Sequence, residues 1–293
     1  MRKKKASRRN ILSGLLVIAT VIGVVCFLLS PWPLKHYFTQ VLIRSESKAA
    51  ELTQKQKIIL SQKRRQLPLS VPILLYHYVE NVTDLRDTIR QSLNIPPQIF
   101  QEQILTLLSH GYHPIVINDL NTYFAGETDL PPKPVILTFD DGYADFYTDV
   151  LPILRTFHVP GVLYMVSQYR DSTKNYLTTG QLLEISRSAL VEIAAHSQHH
   201  PNLNSLDAQT AYREILQSKH ELEQLIGRPV NDFAYPYGAY SDAIVKMVEQ
   251  AGYQTAAGVD PGTQQLYSLR FTLKRIRPGR NTGEALIELI SRP

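Results

Sequence analysis

The sequence has little of what stabilises small extracellular modules. One cysteine, Cys26, stands among 293 residues. That excludes an intrachain disulfide and a cysteine-rich metal centre, and leaves the compartment open. Tryptophan occurs once and methionine three times. Glycine and proline are too few, at 14 and 18, for a fibrous chain. No internal repeat and no low-complexity tract interrupts the sequence. With 44% hydrophobic and 19% charged residues, the chain is too apolar to be disordered. Its length suits one large domain or two small ones.

The net charge of +5 is unevenly distributed. Residues 1–70 carry a net +12 and residues 71–293 a net −7. The mildly acidic larger part argues against a nucleic-acid partner. Arg2, Lys3, Lys4, Lys5, Arg8 and Arg9 form a basic tail over residues 1–10. Residues 11–30 then contain no charge, which at about 1.5 Å per helical residue spans a hydrocarbon core of about 30 Å. A cleavable leader would need small residues at its end, and no Ala-x-Ala follows Leu28 and Leu29. A lipoprotein would need small residues before Cys26, where Val24 and Val25 stand. The segment therefore reads as an uncleaved single-pass signal anchor in the cell membrane. Its N-terminus is expected in the cytoplasm and the rest outside. Residues 31–70 follow as a stalk or linker. From Leu34 to Leu67 there is neither glycine nor proline, and good helix formers dominate.

From residue 71 to 293, short apolar runs alternate with helical stretches. Runs occur at Ile73–Tyr76, Pro114–Ile117, Val135–Phe139, Gly161–Met165, Val191–Ala195, Phe233–Tyr235 and Gln254–Gly258. Helices are expected over Pro97–His110, Tyr143–Phe157, Thr179–Ser188, Asp207–Ile226 and Ser241–Ala251. About seven such units point to a parallel α/β barrel, with its chemistry on the loops that follow the strands.

Three of those ends are rich in reactive groups: Asp140-Asp141-Gly142, His196-Ser197-Gln198-His199-His200, and Pro236-Tyr237-Gly238. His77 ends the first run. Asp-Gly alone is a common turn dipeptide, and a histidine cluster alone is a weak signal. Together, two histidines and one aspartate form a three-ligand set that leaves positions open for water, as in a catalytic metal site. The second aspartate is then free to act as a base.

The stretches Thr138–Gly142, His196–His200 and Phe233–Gly238 resemble, in order and spacing, the first three motifs of the polysaccharide deacetylases, the NodB-homology family. The similarity runs from about Pro72 to about Pro278. The Tyr76–Val79 start and the FAYPYG form resemble most the exopolysaccharide branch, which acts on poly-N-acetylglucosamine. The resemblance implies a distorted (β/α)7 barrel. It implies that Asp141, His196 and His200 bind a divalent metal, usually zinc, and that Asp140 is the base for an activated water. The backbone N–H of Tyr237 would stabilise the oxyanion, and Ser197 would orient its loop.

Two departures stand out. The arginine that usually opens the third motif is missing from Val230-Asn231-Asp232-Phe233, and Arg275 is the candidate replacement as the partner of Asp140. No histidine follows His220, so His77 becomes the candidate acid. The implied activity is metal-dependent removal of N-acetyl groups from an extracytoplasmic amino-sugar polymer. A peptidoglycan substrate and a catalytically inactive, membrane-tethered glycan-binding protein are the alternatives. Oligomeric state is not legible.

Overall fold

The computed structural model describes residues 53–82 and 86–292. The basic tail, the expected anchor over residues 11–30 and most of the stalk lie outside the described residues. No helix among the described residues is long and apolar enough to cross a membrane. Residues 53–66 are helical, as the stalk composition suggests. The chain divides into two units, Met1–Ile58 and Ile59–Pro293. The second begins inside the expected stalk. Arg64 is 7% exposed and donates to the carbonyls of Tyr123 and Thr128 at 2.9 and 2.7 Å. The last helical turn before Leu67 is thus part of the folded unit.

Seven strands form one parallel sheet: β1 (Ile73–Tyr76), β2 (His113–Ile115), β3 (Pro134–Phe139), β4 (Gly161–Met165), β5 (Val191–Ala195), β6 (Asp232–Ala234) and β7 (Thr255–Ala257). Their spatial order is β7-β6-β5-β4-β3-β1, with β2 paired to β3 through residues 134–136. Both faces of the sheet are covered, so β3 and β4 are buried at every position, which is why the sequence shows continuous rather than alternating apolar runs.

The sheet is curled, and its two edges are joined by the segment Leu273–Ile276. Leu273 donates its N–H to Ala256 O and accepts from Gly258 N on the β7 side. Ile276 donates to Ile73 O and accepts from Leu75 N on the β1 side. The segment is too irregular to count as a strand, yet it completes the wall.

Side chains alternate across each strand. One set packs outward under the helices: Leu74, Leu137, Phe139, Leu163, Met165, Ile193 and Phe233. The other set fills the interior: Ile73, Ile136, Val162, Tyr164, Ala194, Ala234, Ala257 and Leu273. That parity carries into the strand ends. Asp140 continues the inward series of Ile136 and Thr138, His196 follows Ala194, and Arg275 follows Leu273. Three inward alanines leave room for the bulk of Tyr164 and Arg275, both fully buried.

The flanking helices are α1 (Thr88–Leu93), α2 (Pro97–Ser109), α3 (Ile117–Phe124), α4 (Leu151–Phe157), α5 (Thr179–Ser186), α6 (Ala208–Ile226), α7 (Asp242–Gln250) and α8 (Gly283–Ser291). Local chemistry sets several ends. Asp207 caps α6 by accepting from Thr210 N at 3.0 Å, and Gly227 ends it at φ 69°. Thr178 and Gln181 form a capping box on α5.

Two expectations are corrected. Tyr143–Phe157 is not one helix: a π-helical turn over Phe146–Val150 precedes α4. Pro152 in the first turn of α4 has no N–H to give, and the turn before it widens. Ile117 does not end a strand but opens α3, where Asp119 Oδ2 accepts from Val116 N at 3.0 Å.

Candidate functional site

The loops after β3, β5 and β6 meet at one mouth of the barrel. Each is held in an unusual backbone conformation. Asp141, Ser197, His200 and Tyr237 all have positive φ, at 77°, 65°, 59° and 60°. Non-glycine residues pay for such geometry, and they persist where surroundings dictate it. Gly142 follows at φ 81°, and a Cβ there would lie 2.1 Å from Met165 Sδ. The turn that presents Asp141 therefore requires glycine.

Asp141 Oδ1 is buried and has no hydrogen-bond partner. His196 Nε2 stands 3.4 Å from it and His200 Nε2 stands 3.3 Å from it. The three ligand atoms lie within 4.8 Å of one another. An orphaned buried carboxylate oxygen faced by two imidazole nitrogens is costly without a cation. Neighbouring ligand atoms on zinc, bound at about 2.0–2.1 Å, are about 3.3 Å apart in a tetrahedron, which matches the two Asp–His edges. His196 Nδ1 faces Ala234 O at 2.8 Å, which fixes its Nε2 toward the cluster. His200 is held from behind, where its N–H donates to Ser197 Oγ at 2.9 Å. The donor set and its geometry fit a divalent metal.

Asp140 faces Arg275. The guanidinium forks onto both carboxylate oxygens, Nη1 to Oδ1 at 2.7 Å and Nη2 to Oδ2 at 2.9 Å. Its Nε donates to Gly258 O at 2.7 Å and Nη1 also reaches Thr138 Oγ1 at 3.3 Å. The pair is almost sealed, with side-chain exposures of 1% and 3%. Each carboxylate oxygen keeps a lone pair for another donor.

Electrostatics follow from this packing. Burial opposes ionisation of Asp140, but Arg275 and His196 outweigh it and hold the carboxyl below its ordinary range. Burial likewise works against Asp141, and its two histidine neighbours with His77 overcome it. Burial lowers His200 to about 4, with the charge of His196 adding to the effect. Burial also disfavours charge on His196, yet the carboxylates of Asp141 and Asp140 beside it raise it. His77 is pushed down, chiefly by burial, with Arg277 and Arg275 assisting against the two aspartates.

Around these groups lies a cleft of about 310 Å³. His77, Asp140, Asp141, His196, His200 and Tyr237 all line it. Arg275 sits beneath its floor. Every residue singled out in the sequence for chemistry is thus gathered at this mouth. His199, set aside as a ligand, turns to Glu214, with its Nδ1 2.8 Å from Oε1. Tyr235 lines the cleft but spends its hydroxyl on Phe271 O at 2.9 Å.

The structure adds residues that sequence reasoning missed. Tyr143, Tyr169 and Tyr176 form one wall and Ile89, Leu93 and Val259 contribute apolar surface. Tyr143 is stacked between Tyr78 and Tyr176, with centroids 3.8 and 5.1 Å away. Burial, with the charge of Asp141 adding to it, raises the hydroxyls of Tyr143, Tyr169 and Tyr176, so they stay neutral donors. Only Tyr143, directly after Asp-Asp-Gly, carried a local signal. Tyr169 and Tyr176 come from the loop between β4 and α5, and Ile89 and Leu93 from α1.

Comparison with known proteins shows similarity to polysaccharide deacetylases. The profile of the family described as polysaccharide deacetylase matches residues 127–256. The chain is 26% identical over 234 residues to YxkH of Bacillus subtilis (strain 168), named as a candidate polysaccharide deacetylase, covering 80% of each chain. It is 24% identical over 259 residues to the poly-beta-1,6-N-acetyl-D-glucosamine N-deacetylase of Staphylococcus epidermidis, covering 82% of this chain and 88% of that one. Among solved structures, the Streptococcus pyogenes deacetylase PplD in complex with acetate shares the fold. Its TM-score is 0.70 at 24% identity, covering 76% of this chain and 99% of that one.

Proposed function

This chain carries a polysaccharide deacetylase domain, and from that premise we propose that it hydrolyses N-acetyl groups on an extracytoplasmic amino-sugar polymer of the poly-N-acetylglucosamine type. The observation that carries the reading is the buried, partnerless Asp141 Oδ1 faced by two imidazoles beside an Arg-clamped carboxylate. The name of the Staphylococcus epidermidis relative supports the choice of polymer.

Asp141, His196 and His200 would hold the cation. Zinc suits two imidazoles and a carboxylate with open positions; when bound it would polarise the acetyl carbonyl and bring the pKa of water to about 7. Asp140 is ionised across the working range and takes the proton of the attacking water. Arg275 keeps that carboxylate charged and aimed. The N–H of Tyr237 would donate to the oxygen that gains charge as water adds to the carbonyl carbon. The C–N bond then breaks. The amine takes a proton and acetate leaves. His77 is the donor of that proton: it receives the proton that Asp140 took from the water, and burial, which lowers its pKa, makes it release that proton readily to the amine. The tyrosine wall offers neutral hydroxyls to sugar hydroxyls, and the apolar side suits a pyranose face.

The uncharged residues 11–30 behind a basic tail support a membrane anchor with the domain outside. The test is acetate release from poly-N-acetylglucosamine oligomers and from peptidoglycan strands by the wild type and by Asp140→Asn. Release from the first substrate, lost in the variant, is expected. Faster release from peptidoglycan would move the substrate to the wall polymer. Undiminished release by Asp140→Asn would overturn the role of the base.

A further inference from the structure

The loop 196–200 carries two of the three cation ligands, yet little inside it holds its shape. Ser197 and His200 both adopt left-handed backbone, at φ 65° and 59°. Such backbone is unfavourable for a residue other than glycine and persists where its surroundings impose it. The one internal bond is His200 N–H to Ser197 Oγ. Between them, the N–H groups of Gln198 and His199 point away from the barrel and need acceptors.

Those acceptors come from α6. Glu214 Oε2 accepts from His199 N at 2.8 Å and from Gln198 N at 3.2 Å. Its other oxygen meets His199 Nδ1 at 2.8 Å. One carboxylate thus clasps two consecutive backbone N–H groups and the side chain next to them. Seven residues on, on the same face of α6, Glu221 repeats the device. It accepts from Gln198 Nε2 at 2.7 Å, Gln168 Nε2 at 2.8 Å and Ser167 Oγ at 2.6 Å. Ser167 and Gln168 in turn donate their N–H groups to Ser197 O and Gln198 O, both at 3.1 Å. The side chain of Glu214 is only 12% exposed, so solvent does not readily replace it. Neither glutamate lines the cleft, and neither touches the ligand atoms.

We propose that Glu214 is a positioning residue for the cation site: by clasping the backbone of Gln198 and His199 it holds the strained loop in the conformation that brings His200 Nε2 to Asp141, and so sets metal affinity. Glu221 supports the same loop through Gln198. The inference rests on the reading of Asp141, His196 and His200 as ligands. Without the clasp, the two left-handed residues relax and His200 must be re-ordered for every binding event. Residues that orient ligands in this way typically alter affinity about 10–100-fold when removed.

The test measures zinc affinity of the full chain by competition with a chromophoric chelator, without substrate. Glu214→Ala is expected to weaken zinc 10–100-fold. Glu214→Gln keeps an acceptor oxygen in place and is expected to stay within about threefold of wild type. Activity of Glu214→Ala is expected to fall at limiting zinc and recover at saturating zinc, a split that a general loss of folding does not give. Glu214→Asp keeps the charge but shortens the reach. Should the alanine variant not fold, a clear weakening in Glu214→Asp makes the same case. Unchanged affinity in whichever of these two folds would overturn the proposal. Equal weakening by Ala and Gln would also overturn it, since charge rather than the clasp would then be at work. A wild-type chain that binds no zinc would remove the ligand reading itself. Normal wild-type binding with indifferent variants would remove only the role of Glu214.

Discussion

Replacing Arg275 by methionine keeps most of the side-chain volume and removes the charge that faces Asp140. Wild-type Asp140 makes two hydrogen bonds to the guanidinium, at 2.7 and 2.9 Å, in a site where both partners are almost fully buried. Removing one member of such a pair costs about 3–5 kcal/mol, because the other is left as an uncompensated buried charge. Against a total stability of about 5–15 kcal/mol that is a large share. Asp140 can escape the cost only by taking up a proton. In the wild type its carboxyl lies below the ordinary range, so its contribution to stability is present above the unfolded carboxylate pKa and is lost as pH falls through the folded value. In Arg275→Met burial is no longer outweighed by the guanidinium, so the carboxyl rises. The sign then reverses: the variant becomes less stable as pH rises through the range where Asp140 must ionise. Urea unfolding at several pH values reads both effects, and the acid limb of the rate profile should move to higher pH. In the double variant Arg275→Met/Asp140→Asn, the stability loss should be smaller than the two single losses combined, because no buried charge remains. A single variant less than about 1 kcal/mol below wild type, with an unmoved acid limb, would refute the reasoning, since that is the worth of an exposed ion pair.

Other consequences follow from the same geometry. Asp141→Asn and His200→Ala should each abolish tight zinc binding, whereas Asp140→Asn should retain the metal and lose turnover; elemental analysis and acetate release on the same samples separate them. Asp141 raises His196 against its burial, so zinc binding should release protons, and more of them as pH falls. Calorimetry in buffers of different ionisation enthalpy measures it, and zero release would contradict the assignment. Gly142→Ala combines φ 81° with a Cβ 2.1 Å from the buried Met165 Sδ, so it should cost about 1–3 kcal/mol in urea unfolding.

Much of the barrel was readable because its strands are buried on both faces. Val135–Phe139 and Gly161–Met165 are continuous apolar runs for that reason. The candidate ligands were readable because they are close in sequence, Asp141 beside Asp140 and His200 four residues after His196. The helix α3 was not, since Asn118, Asp119, Asn121 and Thr122 are poor helix formers and tertiary packing of Ile117, Leu120 and Phe124 decides the matter. Arg275 could be nominated only through the family resemblance: 135 residues separate it from Asp140, and nothing local announces that Leu273–Ile276 closes the wall. Glu214 reads in sequence as part of a solvated helix face. Its partners are backbone N–H groups, which carry no residue-type signal at all. The tyrosine wall is assembled from two loops, after β3 and after β4, for which no periodicity exists.

The central claim is that Asp141, His196 and His200 hold a divalent cation without which the chain does not release acetate. The most direct measurement is metal content of the full chain together with acetate release from poly-N-acetylglucosamine oligomers, before and after a chelator and after zinc is restored. The account predicts about one metal per chain, release that stops with chelation, and recovery with zinc. A chain that binds no metal even after zinc is supplied, or that releases acetate equally well with its metal removed, would contradict it.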